Sequence, residues 1–218
     1  MVPPPKQTER GAETRQRILD AATDLFLDRG YAQTPVSAII DASGVTKGGF
    51  YFHFPSKAAL GREVALRSCE SQQALAMQLI DPEQSAFEQL ISMPRAVAAS
   101  TVEMPPMVML GRLCMELRAE PDAEPVDPYA FWFAAVGDLV RRAQADGDLT
   151  PGLDPDRMAF HLVTSYVGMD YVECIRGSDP PDLDIDSYLD FVLHGIGAAR
   201  SDSVPPPSRN IDSRKGDD

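Results

Sequence analysis

Residues 36–54 read VSAIIDASGVTKGGFYFHF, and this stretch decides the fold of the N-terminal part of the chain. It predicts two short helices, about Pro35–Ala42 and Lys47–His53, on either side of a tight turn. Gly44 suits a positive φ in that turn, and Thr46 can cap the second helix. Apolar residues stand on both sides of the turn: Ile39, Ile40, Val45 and Phe50. Two helices can therefore cross steeply around one apolar wedge, which predicts a helix-turn-helix.

The second of these helices is then free to enter the major groove of DNA. Its exposed positions would be Thr46, Lys47, Gly48, Gly49, Tyr51 and His53. Two glycines in so short a helix cost roughly 1 kcal/mol each against alanine, which makes sense where DNA, or alternatively another helix, must approach closely. Lys47 can reach guanine or a phosphate, whereas Tyr51 and Lys57 suit phosphate oxygens. Three alternatives stay open: Tyr51 packs under the turn, His53 bonds locally, and Lys57 is a solvated first-turn lysine.

The flanking pattern predicts an all-α fold. A first helix is expected over Thr14–Arg29, with Gly30 as its left-handed C-cap. Thr34 can cap the helix that starts at Pro35, and Ser56 can cap a long helix that starts at Lys57. Further helices are expected at about 85–102, 107–119, 128–146, 155–176 and 186–198. The predicted domains are a helix-turn-helix head over 13–60 and a larger ligand-binding and dimerisation domain over 61–200, between flexible tails 1–12 and 201–218.

Charge is distributed unevenly along the chain. Residues 1–67 hold nine Lys/Arg and seven Asp/Glu, a net charge of +2, whereas the remainder holds 11 and 26, a net charge of −15. A neutral-to-basic head can approach phosphates while an acidic body stays away from them. Chance clustering on solvated faces would give the same numbers, so charge alone does not decide the function.

Other sequence features argue against several classes of protein. The three cysteines are widely spaced and the three histidines scattered, so we expect neither disulfides nor a metal site, and no cofactor. The N-terminus lacks the apolar region of a signal peptide, and no apolar run approaches the roughly 20 residues of a membrane span. We therefore expect a cytoplasmic protein with no membrane partner. No GxSxG, HExxH, Walker or complete GxGxxG motif occurs, and we expect no catalytic residues.

The head resembles a known family. Residues 14–63 are similar to the DNA-binding region of the TetR family in Gly30-Tyr31, Thr34, the GVTKG run from Gly44, the YFHF run from Tyr51, and Ser56-Lys57. The resemblance implies an all-helical homodimeric repressor that binds operator DNA. The DNA contacts it implies are Thr34, Ser37, Thr46, Lys47, Gly48, Gly49, Tyr51, His53 and Lys57. Ser37 stands where some members read a base with arginine, and Gly49 replaces the more usual Ala or Thr.

The C-terminal part carries weaker signals. The adjacent aromatics Phe131, Trp132 and Phe133 cannot share one helix face, so some must face a second apolar environment, either a ligand cavity or a partner subunit. The N–H of Trp132, the only tryptophan, needs a partner if it is buried, and a ligand carbonyl would serve. A packed core tryptophan is the plainer alternative.

A subfamily resemblance sharpens this expectation. The stretch TKGGFYFHFPSK, the segment Gly111-Arg112-Leu113 and a tryptophan soon after a proline resemble the γ-butyrolactone autoregulator receptors, which control antibiotic production and development in Streptomyces-like bacteria. The resemblance implies an effector pocket, and the residues expected to line it are Trp132, Leu110, Leu113, Val163 and Val167. Ser68 and Val167 replace Gln and Thr of some members, which leaves a butenolide, a furan or a more apolar signal open.

The helix expected over 155–176 is apolar nearly all round, so both of its faces should be buried. One face would build the pocket floor, and the other would join helix 186–198 in a dimeric four-helix bundle. A core helix in a monomer is the alternative, but a two-fold operator needs a dimer. The functions left open are a signal-released repressor, a multidrug-sensing repressor of an efflux gene, and, outside the regulators, a helical enzyme or carrier.

Overall fold

The computed structural model describes residues 5–100, 107–121, 124–176 and 185–195, with side chains omitted at 5–9, 100 and 193–195. Within these ranges the regular structure is helical throughout, which confirms the all-α prediction. The helices are α1 Pro5–Arg29, α2 Val36–Ser43, α3 Lys47–His53, α4 Lys57–Leu79, α5 Ala86–Ser100, α6 Met107–Leu117, α7 Ala130–Asp146, α8 Pro155–Arg176 and α9 Ile185–Gly195. None of these described helices is long and apolar enough to span a membrane.

The helix ends follow the predicted capping residues at most joints. Gly30 at φ +85° ends α1, and Gly44 at φ +64° ends α2. Thr46 accepts the Gly49 N–H at the start of α3, and Ser56 accepts the Ala59 N–H at the start of α4, as predicted. The predicted bounds of α3 and α8 are confirmed.

Two expectations about the N-terminal region are wrong. The first helix begins at Pro5, nine residues before Thr14, so residues 5–12 are not a structureless tail. Proline is tolerated in the first turn of a helix, and the polar residues after it do not oppose helix formation. Residues 1–4 and the predicted tail 201–218 lie outside the described residues.

The described helices pack around two apolar cores. The first joins α1, α2, α3 and the start of α4 to α6, and its fully buried members include Ile18, Ile39, Phe50 and Leu60. The second lies among α5, α7 and α8 around Val140 and Trp132, and Met107 at the start of α6 also belongs to it. α6 therefore runs from one core to the other. The first core extends past residue 60, and the domain division predicted there remains a prediction.

Candidate DNA interface and effector cavity

The helix-turn-helix is held by the predicted apolar wedge. Ile39 and Phe50 are fully buried, and Ile40 and Val45 pack against the same core half-buried. Ser43 closes the end of α2 by donating to the Ile39 carbonyl at 2.7 Å. Because Phe50 fixes the inner face of α3, the helix presents its opposite face to solvent.

The structure sorts the predicted DNA-contacting residues by exposure. Ser37, Thr46, Lys47, Gly48 and Tyr51 are exposed, and Tyr51 keeps 46% of its surface accessible. Gly49, His53 and Lys57 are half-buried. The exposed set on α3 can approach a major groove, and the exposure of Tyr51 argues against the alternative that its ring packs wholly under the turn.

Thr34 is the exception, since its residue is fully buried. Its hydroxyl donates to the Gly30 carbonyl at 2.8 Å and lies 3.2 Å from the Leu25 carbonyl. Pro35, with extended backbone and no side-chain cap, precedes α2. The predictions that Thr34 caps α2 and faces DNA are therefore wrong for this conformation, because its one hydroxyl is used to close the turn after α1.

Lys57 has an intramolecular partner. Its Nζ lies 4.1 Å from the centroid of the Tyr31 ring, a cation–π contact. Burial lowers the pKa of Lys57, and the charges of Glu120 and Glu116 act in the opposite direction. A phosphate contact by Lys57 stays a prediction, and it would compete with this contact to Tyr31.

Sequence reasoning missed Phe52 on α3. Its side chain is 83% exposed and meets the His53 ring edge-on at 5.1 Å. An exposed apolar ring on a recognition helix suits a thymine methyl group. The available signal was helical spacing, because Phe52 falls one turn after Gly48, which was already assigned to the exposed face.

A cavity lies in the second core, between α5, α7, α8 and α9. The cavity volume that water can occupy is about 80 Å³, several times the roughly 10–15 Å³ that one water molecule needs. None of the described residues that form its wall is charged, and these are Phe87, Leu90, Ile91, Met93, Pro94, Val97, Met107, Trp132, Val136, Leu162, Val163, Tyr166, Val167, Tyr188, Leu189 and Val192. Such a wall suits an uncharged, largely apolar molecule.

The structure brings three of the five predicted pocket residues together at this wall, namely Trp132, Val163 and Val167. Leu110 and Leu113 lie instead in the first core, 1% and 2% exposed, against the head. Their assignment to the pocket is therefore wrong, because the apolar residues after the first turn of α6 pack against the head.

Two polar atoms at the cavity residues have no hydrogen-bond partner among the described residues. They are the indole Nε1 of Trp132 and the hydroxyl of Tyr166, and both are buried. Burial and the nearby Asp170 charge raise the pKa of Tyr166, so its hydroxyl stays protonated. The Tyr188 hydroxyl, by contrast, donates to the Leu162 carbonyl at 2.8 Å. Two buried donors without acceptors favour a ligand that carries an acceptor such as a carbonyl.

α6 makes direct contacts with the head. The Glu116 carboxylate accepts the Ala32 backbone N–H at 2.7 Å, between α1 and α2. The Leu117 side chain belongs to the same apolar core as Ile18 and Phe50 of the head. α6 therefore contacts the head near its C-terminal end, while Met107 at its other end lines the cavity.

An apolar face remains exposed on α8. Phe160, Tyr171, Val172 and Ile175 are 54%, 53%, 49% and 67% exposed. This face is open in a single chain, so the predicted burial of the second face of α8 in a dimer stays a prediction. On α9, Phe191 is 76% exposed. Exposed apolar faces of this kind suit a partner subunit.

Comparisons with known proteins agree with this arrangement. Residues 18–64 match the family model of bacterial regulatory proteins, tetR family. The A-factor receptor protein of Streptomyces griseus is 29% identical over 170 residues, which are 75% of this chain and only 56% of that receptor's length. The TetR regulator TylP of Streptomyces fradiae is 31% identical, with a TM-score of 0.62 over 88% of this chain and 89% of TylP. A γ-butyrolactone receptor described as ArpA-like is 28% identical, with a TM-score of 0.67 over 86% and 89%.

A helix-turn-helix head on a helical body, together with these similarities, identifies a DNA-binding transcription regulator. The chain belongs to the TetR family, and within it resembles the γ-butyrolactone receptors. Regulators of this family bind operator DNA and small-molecule effectors and act as dimers.

Proposed function

We propose that this chain is a repressor that binds a pseudo-palindromic operator as a homodimer and leaves it when a small diffusible signal enters the cavity. The signal is of γ-butyrolactone, butenolide or furan type, and the controlled genes belong to secondary metabolism. The observation that carries the proposal is a cavity whose described lining residues are uncharged and include Trp132 and Tyr166. The buried donors of these two side chains have no partner in the part of the chain that the structure describes. The similarity to the A-factor receptor supports it, because that similarity extends well beyond the head.

The residues that line the cavity determine which kind of molecule can bind there. A lactone or furan is neutral, so it enters an uncharged cavity without the cost of burying a charge. A ring or ester oxygen can accept a hydrogen bond from Trp132 or Tyr166, and an alkyl chain can pack against the aliphatic wall. A ring-opened carboxylate would be disfavoured, since none of the described residues that line the cavity carries a positive charge.

Release requires two conformations of the dimer that differ in the spacing of the recognition helices. The signal must bind the low-affinity conformation more tightly, because equal affinity for both would shift nothing. A coupling of about 1–3 kcal/mol changes DNA affinity some 5- to 150-fold. α6 can carry this coupling, because Met107 lines the cavity and Glu116, about two and a half turns further along, contacts the head.

Dimer formation is part of the proposal. The exposed apolar face of α8, with Phe191 of α9, is the expected interface. Each recognition helix would then read one half-site, and the two should lie roughly 34 Å apart on DNA.

The test uses the purified full chain on fragments of its source genome. Fragments retained by the protein are sequenced, and the best one is labelled for fluorescence anisotropy. We expect a 3-acyl-γ-butyrolactone to release this DNA, while the matched ring-opened hydroxy acid does not. Retention of no fragment would overturn the DNA-binding proposal. Release by many unrelated lipophilic drugs, but not by the lactone, would favour the alternative of an efflux-gene repressor.

A further inference from the structure

A polar contact joins α6 to the turn between α1 and α2. The Glu116 carboxylate accepts the Ala32 backbone N–H at 2.7 Å and the Arg112 Nε–H at 2.8 Å. Arg112 lies one turn before Glu116 on the same helix, so the ion pair holds the carboxylate in place. Burial raises the pKa of Glu116, but the hydrogen bonds from Ala32 and Arg112 lower it by more, so the carboxylate stays ionised.

The same pair of side chains lies over Gly30, at the end of α1. Gly30 has a φ of +85°, which favours glycine, and the Arg112 guanidinium occupies the space where a Cβ at residue 30 would lie. The buried Thr34 hydroxyl holds the other end of this turn by donating to the Gly30 carbonyl. Because α2 begins two residues after Thr34, the position of this turn helps to fix where the helix-turn-helix lies relative to α6.

On its other side, α6 contacts the start of α7. The Tyr129 hydroxyl occupies the space where a Cβ at residue 111 would lie, so it rests directly against Gly111 of α6. Tyr129 is the N-cap residue of α7, and Trp132 of the cavity wall follows three residues later. A ligand that displaces Trp132 would therefore move Tyr129 against α6, five residues before Glu116.

The contact made by Glu116 depends on position more sharply than the apolar contacts around it. Leu110, Leu113 and Leu117 of α6 also pack in the core of the head. The hydrophobic effect is non-directional, so a small shift preserves most of their burial. N–H···O hydrogen bonds, by contrast, fall between roughly 2.7 and 3.2 Å. Helix shifts of about 1–2 Å accompany allosteric transitions at interfaces, and a shift of that size would carry the contact of Glu116 with Ala32 outside this range.

We infer that Glu116 is a positioning residue that couples the cavity to the head: its contact with Ala32 forms in one of the two conformations of the dimer and breaks in the other. This inference rests on the proposed function, since it needs an effector in the cavity and an operator at the head. Removing a contact that only stabilises the fold would lower the thermal midpoint and leave the coupling unchanged. Removing the contact of Glu116 leaves the effector bound but makes it change DNA affinity less, because the coupling free energy is smaller.

The test measures operator affinity by anisotropy, with and without a saturating 3-acyl-γ-butyrolactone, and takes the ratio of the two affinities as the coupling. Wild type is compared with Glu116→Ala and with Glu116→Gln, which keeps an acceptor oxygen for the Ala32 N–H but removes the charge. Asp138→Ala on α7 is the matched control, because Asp138 pairs with Arg142 at the same spacing of four residues. Trp132 emission measures lactone binding, and thermal unfolding shows whether each variant is folded.

We expect the lactone to weaken operator binding of wild type and of Asp138→Ala some 5- to 150-fold, and that of Glu116→Ala by less than about threefold. Glu116→Gln should give a ratio below that of wild type, because a neutral amide is a weaker acceptor and forms no ion pair with Arg112. Both variants should still bind the lactone.

A wild-type ratio in Glu116→Gln, or in folded Glu116→Ala, would overturn the inference while leaving the repressor proposal standing. Loss of lactone binding in either variant would also overturn it, because Glu116 would then support the cavity itself. If the lactone does not release DNA from wild type, the proposed function fails and this inference falls with it.

Discussion

The hydroxyl of Thr34 donates a hydrogen bond to the Gly30 carbonyl at 2.8 Å, inside the turn between α1 and α2. Replacing Thr34 with valine keeps the shape and removes this donor. We expect the free energy of unfolding to fall by about 1 kcal/mol, the usual net value of one hydrogen bond. Operator affinity of the folded protein should stay unchanged, because the side chain does not reach DNA in this conformation.

Urea unfolding and anisotropy check this together. Thr14→Val is the matched control, since that hydroxyl makes the same kind of bond to a carbonyl four residues earlier at an exposed site. A loss of operator affinity at constant stability would contradict the structural role of Thr34 and restore its predicted DNA contact.

Lys47 lies exposed on α3, so we expect its substitution to disturb little packing. Lys47→Ala should weaken operator binding without changing the thermal midpoint of unfolding. If Lys47 contacts guanine, discrimination at one base pair falls by about 1–3 kcal/mol; if it contacts phosphate, binding to all sequences falls alike. Competition against single-base operator variants at physiological salt distinguishes the two.

Arg142→Ala is the control for this change. It removes a positive charge from α7, far along the chain from the head, where the arginine pairs with Asp138. Equal affinity of wild type and Lys47→Ala would show that α3 does not enter the groove as proposed.

The exposed face of α8 can be tested with a single charge. Ile175→Glu places a carboxylate where we expect an apolar dimer contact, and burying it would cost several kcal/mol. We expect the protein to sediment as a monomer at micromolar concentration and to lose at least tenfold in operator affinity. Met115→Glu, at a 75% exposed position on α6, is the matched control and should remain dimeric. A dimer that survives Ile175→Glu would place the interface elsewhere.

The sequence predicted local features better than long-range ones. Caps such as Thr46 and Ser56 act within three residues, so the starts of α3 and α4 could be predicted. The sequence did not show which core the apolar residues of α6 would join. Met107 meets the cavity and Leu110 meets the head, and both follow the same helical spacing. Periodicity shows which residues share a helix face. It does not show which of two cores each end of that face packs against, because this depends on the tertiary structure.

The cavity residues, too, could be predicted from the sequence only in part. Trp132 was predicted from a family resemblance, whereas Tyr166 was predicted only as part of an apolar helix. Its missing hydrogen-bond partner becomes visible only when the neighbouring helices are in place.

The pH dependence of the free energy of unfolding should include a contribution from the buried carboxyl of Asp170 on α8. Burial raises the pKa of this carboxyl above its ordinary value, although the Val108 N–H acts in the opposite direction. An acid whose pKa is higher in the folded state binds protons more tightly when folded. Its contribution to stability is therefore greatest below the unfolded pKa of about 3.9 and falls as pH rises through the folded value.

Urea unfolding of wild type and Asp170→Asn between pH 4 and 7 isolates this contribution, because the other groups cancel in the difference. We expect wild type to lose stability relative to Asp170→Asn as pH rises. A difference independent of pH would mean that the carboxyl has the same pKa in both states.

The central claim is that one molecule entering the cavity at Trp132 removes the protein from DNA. It is tested most directly by titrating the protein–operator complex with a 3-acyl-γ-butyrolactone while recording operator anisotropy and tryptophan emission in one sample. Trp132 is the only indole in the chain, so the emission reports the cavity wall alone. Phe133→Leu serves as control, since Phe133 neighbours Trp132 but stacks on Phe160 outside the cavity wall.

The account predicts that DNA release and the emission change share one midpoint in wild type and in Phe133→Leu. Trp132→Ala should bind the operator normally and should not be released at the concentration that releases wild type. Release of wild-type DNA without any change in emission, together with an equal response of Trp132→Ala, would contradict the account and make Trp132 a core residue.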